Sequence, residues 1–151
     1  MPTLKPSVTI SAPRLGTNVL GVALFRRRSQ PLVLRRFVAH QSKILLAIQP
    51  IDFRKGIDSI SALCRQTLEQ DPMSGLLFVF RNRLKTALRI LCYDGQGFWL
   101  CTKRLSSGRF KWWPTGSHLI DRVGHKELYT LIYNGNPASA KFGSDWKPLL
   151  S

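Results

Sequence analysis

The sequence predicts an α+β fold: a small mixed sheet with a βαβ unit, then a β-hairpin and a C-terminal helix, in the order strand, helix, strand, strand, strand, helix. Three observations predict it. Two apolar runs of strand length, Ile44 to Ile48 and Leu76 to Phe80, flank a stretch whose apolar residues recur at helical spacing. Two further strand-like segments meet at Asp94-Gly95-Gln96-Gly97, where glycine permits the positive φ of a hairpin turn. A last periodic segment stops at Asn134-Gly135, a helix terminator.

Each element has a local reason. Ile44 to Ile48 carries no polar residue, as suits a strand covered on both faces. After the loop Pro50 to Gly56, Ile57, Ile60, Leu63, Cys64 and Leu68 repeat on one helical face, and Asp71-Pro72 predicts the stop because proline disfavours helical geometry in the preceding residue. Thr86 to Tyr93 and Phe98 to Lys103 form the hairpin arms, and Lys126 to Tyr133 is the final helix, with Leu128, Leu131 and Ile132 inward.

Charge divides the chain. Its 151 residues hold 23 Lys and Arg against 8 Asp and Glu, a formal net charge of +15. All the acids lie at or after Asp52, whereas the first 51 residues carry eight cations, from Lys5 to Lys43. Residues 1–42, rich in Pro, Ser and Arg without apolar period, are expected to form a flexible basic arm, and residues 43–151 the folded domain. The arm's short apolar piece Asn18 to Phe25 precedes its charges, the reverse of a secretory signal; an organellar transit peptide and sequence translated from an early start codon both fit. Three cysteines without a CxxC pair, Cys64, Cys92 and Cys101, suit buried thiols in a reducing compartment, hence the cytoplasm.

So basic a chain calls for an anionic partner, nucleic acid first, because each phosphate contact releases counterions. No apolar run approaches the roughly 20 residues that span a bilayer, and no basic amphipathic helix stands out, so no membrane association is expected. If the first two strands are parallel, chain alternation brings three basic clusters to one end of the sheet: Arg54 and Lys55 after the first strand, Arg81, Arg83 and Lys85 after the second, Lys103 and Arg104 at the end of the fourth. Directly after comes Arg109-Phe110-Lys111-Trp112-Trp113-Pro114, cations alternating with aromatics, which suits phosphate contact with base or partner contact by Phe110, Trp112 and Trp113. Two plainer readings stay open: the cations as a solvated rim that discourages aggregation, and the aromatics as core anchors.

Other chemistry lacks its residues. His40, His118 and His125 are scattered without HExxH or a Cys/His cluster, and no phosphate-loop, GxGxxG or GxSxG motif occurs, so no metal, cofactor or catalytic residue is expected. Two-metal nuclease chemistry could draw only on Asp52, Asp94 and Glu127, and the topology sends Asp94 to the end opposite Asp52.

PIDFRKGID at 50–58, DPMSGLLFVFRNR at 71–83, LCYDGQGFWLCTKRLSSGRFKWWP at 91–114 and NGNP at 134–137, in order and without a large gap from about Lys43 to Pro148, resemble the TnpB, or Orf2-like, accessory protein of the bacterial insertion sequence 66 family. The resemblance, which does not extend to the RNA-guided nuclease of the same name, implies a protein that assists transposition beside a separate transposase and without known catalysis. Positions matching its motifs include Asp52, Arg54, Lys55, Gly56, Phe80, Arg81, Asp94, Gly95, Lys103, Arg104, Gly108, Arg109 and Phe110. Members usually begin only a little before the Ile44 strand, which favours an early start codon or an element-specific arm for residues 1–42. Residues and resemblance together predict a cytoplasmic, non-catalytic factor whose basic end meets DNA at transposon ends, with the transposase and other proteins of the element as partners. The alternatives are an adaptor that grips the transposase without touching DNA and, third, a metal-dependent nuclease.

Overall fold

The computed structural model describes residues 8–11 and 43–144. Apart from Val8–Ser11, the arm expected over residues 1–42 lies outside the described residues. The elements are β1 (Val8–Ser11), β2 (Ile44–Ala47), α1 (Ile57–Gln66), β3 (Leu77–Arg81), β4 (Ala87–Tyr93), β5 (Phe98–Arg104), β6 (Ile120–Val123) and α2 (His125–Ile132). The strands form one mixed sheet in the order β1-β5-β4-β3-β2-β6. β2 and β3 are parallel, joined by α1 as the βαβ unit requires, and every other pair is antiparallel. The expected α+β fold is therefore the one observed.

Alternation of side chains along the strands explains the layers. Leu45, Ala47, Phe78, Phe80, Leu91 and Leu100 face α1, meeting Ile60, Cys64 and Leu68. Ile44, Leu46, Leu77, Val79, Leu88 and Ile90 face the other way, against Leu128, Leu131 and Ile132 of α2 and against Phe110 and Trp113. Because both faces are covered, β2 and β3 are buried residue after residue, which is why they read as unbroken apolar text. A one-residue slip of either strand would exchange the residues that face α1 with those that face α2. The cysteines behave as core: Cys64 and Cys92 are buried, and burial pushes both thiols up to about 12.

The structure differs from expectation at two places. β6 pairs antiparallel with β2 along the side away from β3, and its Ile120-Asp121-Arg122-Val123 is too short and polar to announce a strand. β1 pairs with the outer side of β5 within a Pro- and Ser-rich stretch that shows no apolar period. Helix α1 stops before Asp71-Pro72 as expected, at Gln66: Glu69 adopts φ 55°, while Leu68 N–H donates to the Leu63 carbonyl and Gln70 N–H to that of Cys64. The expected stop of α2 holds. Asn134 takes the left-handed conformation, and Gly135 N–H donates to the Thr130 carbonyl at 2.8 Å, an approach so close that a Cβ on Gly135 would lie 2.7 Å from the Thr130 methyl.

Candidate nucleic-acid interface

Topology decides where the cations go. The carboxyl ends of β2, β3 and β5 and the amino end of β4 share one end of the sheet, because Arg81 lies opposite Leu88 and Leu88 opposite Lys103. Arg81 and Lys103 are therefore two strand spacings apart, roughly 10 Å, on the same face. The β2–α1 loop is tied to this end where Ile51 N–H donates to the Arg81 carbonyl at 3.0 Å. The segment after β5 returns beside it, with Leu105 N–H donating to the Thr86 carbonyl and Phe110 N–H to that of Lys85, at 2.9 and 2.7 Å. The three clusters and the Arg109–Lys111 tract thus share one end, while Asp94, in the β4–β5 turn, sits at the opposite end from Asp52.

The turn between β3 and β4 is built by Asn82. Its Oδ1 accepts from the backbone N–H groups of Thr86 and Ala87 at 2.9 and 3.1 Å, and its Nδ2 donates to Thr86 Oγ1 at 2.8 Å. Lys85 adopts φ 59°, leaving Arg83 and Leu84 exposed at the tip. The β2–α1 loop is fastened by Arg89, which the sequence patterns above do not single out. On the α1 face of β4, Arg89 donates from Nη1 to the Lys55 carbonyl at 2.6 Å and from Nε to Thr102 Oγ1, and stacks 4.7 Å from the centre of the Phe53 ring. An arginine in the middle of an apolar strand was the available signal.

The expected contact residues divide into two sets. Arg81 is half-buried, its guanidinium 5.8 Å from the Trp113 ring and its buried Nε without a hydrogen-bond partner. The Lys103 ammonium donates to the Ile132 carbonyl at the end of α2 and lies 5.4 Å from the Tyr133 ring; burial lowers its pKa. That cation offsets the negative end of the α2 dipole. Arg54 is held by Asp52 through Nε and Nη2 at 3.0 and 2.8 Å, an ion pair on the loop itself. The side chains of Lys55, Arg83, Arg104, Arg109 and Lys111 are exposed, with Lys85 half-buried, and none of them is ion-paired to a described residue. Helix α1 also points its positive amino end this way, from a Gly56 cap that offers no side chain.

The aromatics require a correction. Phe110 and Trp113 are 2% and 5% exposed, within the core between sheet and α2, and Trp113 Nε1 donates to the Ala47 carbonyl at 3.0 Å. Trp112 is half-buried against the same cluster. Phe110 and Trp113 are anchors that hold the Arg109–Lys111 tract onto the sheet end, and neither offers a base or a partner an open ring face.

Asp52 gives this loop a pH signature. Hydrogen bonds from the Arg54 side chain, then from its backbone N–H at 2.9 Å, hold the carboxyl at about 2, below its usual 3.8. A lowered folded value means that the ionised carboxylate favours the folded loop: its contribution is full above the ordinary carboxylate range and fades as the pH falls toward 2. An NMR titration of the Asp52 carboxyl is expected to give a midpoint near 2 in the native protein and a higher one in Arg54→Met, which loses the guanidinium bonds and keeps the backbone N–H bond.

Residues 42–139 match the family model of the IS66 Orf2-like proteins. The chain belongs to this family. IS66 Orf2-like proteins are transposition-associated accessory proteins, not a family known for catalysis. Two relatives from Sinorhizobium fredii are similar to part of the chain. Uncharacterized protein y4jC is 44% identical over 68 residues, which is 45% of this chain and 58% of the relative. Uncharacterized protein y4hO is 40% identical over 70 residues, 46% of this chain and 61% of the relative. The aligned part thus spans about three-fifths of either relative's length. No solved structure matches. Among the described residues no helix is long and apolar enough to cross a membrane.

Proposed function

We propose that the chain assists transposition as a non-catalytic DNA-binding factor that engages the phosphates of transposon ends through the cationic end of its sheet. The observation that carries this reading is the charge imbalance there: nine cations, Arg54, Lys55, Arg81, Arg83, Lys85, Lys103, Arg104, Arg109 and Lys111, against Asp52 and Asp58. Exposed cations crowded without counter-charges repel one another, and a polyanion relieves that repulsion while giving up its own counterions. Lys55, Arg83, Arg104, Arg109 and Lys111 make the phosphate contacts; Arg81 and Lys103, held from within, shape the surface and add potential. The test is fluorescence anisotropy of labelled transposon-end and scrambled duplexes with the full chain across a salt titration. Affinity falling steeply with salt supports the reading, and salt-independent or absent binding sinks it.

A second reading, an adaptor for the transposase, is favoured by one observation. Leu84, 62% exposed at the tip of the β3–β4 turn, places an apolar side chain in the middle of the basic surface. Association with purified transposase that survives nuclease treatment and disappears in Leu84→Asp would select it.

A further inference from the structure

We infer that Tyr133 is a stacking platform for an unpaired base of a single DNA strand whose phosphates lie along the cationic end; the inference rests on the DNA-binding reading above. With Phe110 and Trp113 sealed in the core, a ring that serves bases must be found elsewhere, and Tyr133 is 77% exposed, the most exposed of the large hydrophobic residues described.

Its position follows from the fold. Helix α2 starts at the far end of the sheet and runs back, since Lys103 Nζ donates to Ile132 at its carboxyl end and Lys111 N–H donates to Asn134 Oδ1 at 2.9 Å. Tyr133 caps α2 between these contacts, its N–H donating to the Tyr129 carbonyl at 3.0 Å, and the left-handed Asn134 turns the chain away after it. The backbone of the ring is therefore fixed, although the side chain stands in water.

Charge surrounds it. The Lys103 ammonium lies over the ring at 5.4 Å, and the high exposure leaves the opposite face open. The exposed Lys111 follows Phe110 alongside. A cation over one face, an open face on the other and phosphate-binding side chains nearby are what a strand needs to lay one base on the ring and its backbone on the cations. Duplex DNA keeps its bases stacked on one another and offers Tyr133 no such face, so the ring favours single strands.

Exposure makes the substitution structurally mild, and circular dichroism checks that the variants fold. The test compares binding by the full chain, Tyr133→Ala and Tyr133→Phe to a short oligothymidylate, the same strand with abasic sites, and a duplex. Wild type and Tyr133→Phe should prefer oligothymidylate to the abasic strand. Tyr133→Ala should bind oligothymidylate about fivefold to a hundredfold more weakly, with duplex and abasic binding unchanged. Equal wild-type affinity for oligothymidylate and abasic strand overturns the inference while leaving the phosphate reading intact. So does a Tyr133→Ala variant that binds every probe as wild type does, which would hand the side chain to a protein contact. Absence of binding to all three probes defeats both.

Discussion

Trp113→Ala is expected to lower the folding stability by about 3–5 kcal/mol, the cost of deleting a large buried aromatic side chain together with the cavity that remains. Trp113 is 5% exposed, packs between sheet and α2, and is the buried link between the segment after β5 and the middle of the sheet, through its bond to the Ala47 carbonyl 66 residues away. Removing it also strips Arg81 of the ring beneath its guanidinium. A loss of that size is a large fraction of the roughly 5–15 kcal/mol that holds a domain folded. Trp113→Phe keeps most of the apolar packing and gives up the indole N–H, so it should cost less, by the margin between a cavity and one hydrogen bond of about 1 kcal/mol. Urea and thermal melts separate the two variants. Melts of Trp113→Ala that overlay the wild type would mean that the indole does not sit where the sheet and α2 meet.

Reversing Arg83, Arg104 and Arg109 to glutamate is expected to cut DNA affinity and to flatten its salt dependence. Each phosphate that is no longer neutralised takes about 0.9 off the slope of log affinity against log salt, so the three together take off roughly three units. These residues suit the test because all are exposed and none is ion-paired to a described residue, so the variant should fold. Arg81 would be a poor choice: its half-buried guanidinium lies near Trp113, and reversal would place a carboxylate against the core. Lys43, Arg65 and Arg122, all exposed and set away from that end, provide a control of identical net charge. If both triple variants bind equally badly, the attraction belongs to overall charge; if only the first does, it belongs to the surface.

The interior of the fold was legible in the sequence where one physical demand acted alone. Ile44 to Ile48 and Leu76 to Phe80 are covered on two faces and could be nothing but buried runs of strand length, and their parallel pairing followed from the helix between them. The gathering of basic loops at one end was legible for the same reason, since strand direction alone dictates it. What was hidden depends on interactions between distant residues. β6 owes its strand form to pairing with β2, and its own Asp121 and Arg122 disguise it. Alternation of cations with Phe110, Trp112 and Trp113 resembles a surface tract, yet the Ala47 carbonyl and the α2 face draw Trp113 inward, and no local pattern announces a partner so far off in the chain. The exposed aromatic, Tyr133, comes at the last turn of a helix, where the period no longer fixes which way a side chain faces. Arg81 and Arg83 look alike in the text; the pleat turns the first toward Trp113, and the Asn82 turn lifts the second into water.

Lysine acetylation footprinting, read by mass spectrometry on the full chain with and without saturating transposon-end duplex at low salt, addresses where on the molecule the DNA lies. Lys55, Lys85 and Lys111, on three loops that meet only through the fold, should be protected together, whereas Lys43 at the start of β2 should be modified equally in both samples. Protection of Lys43 with free modification of Lys55 and Lys111 would put the DNA at the other end of the sheet and contradict the account.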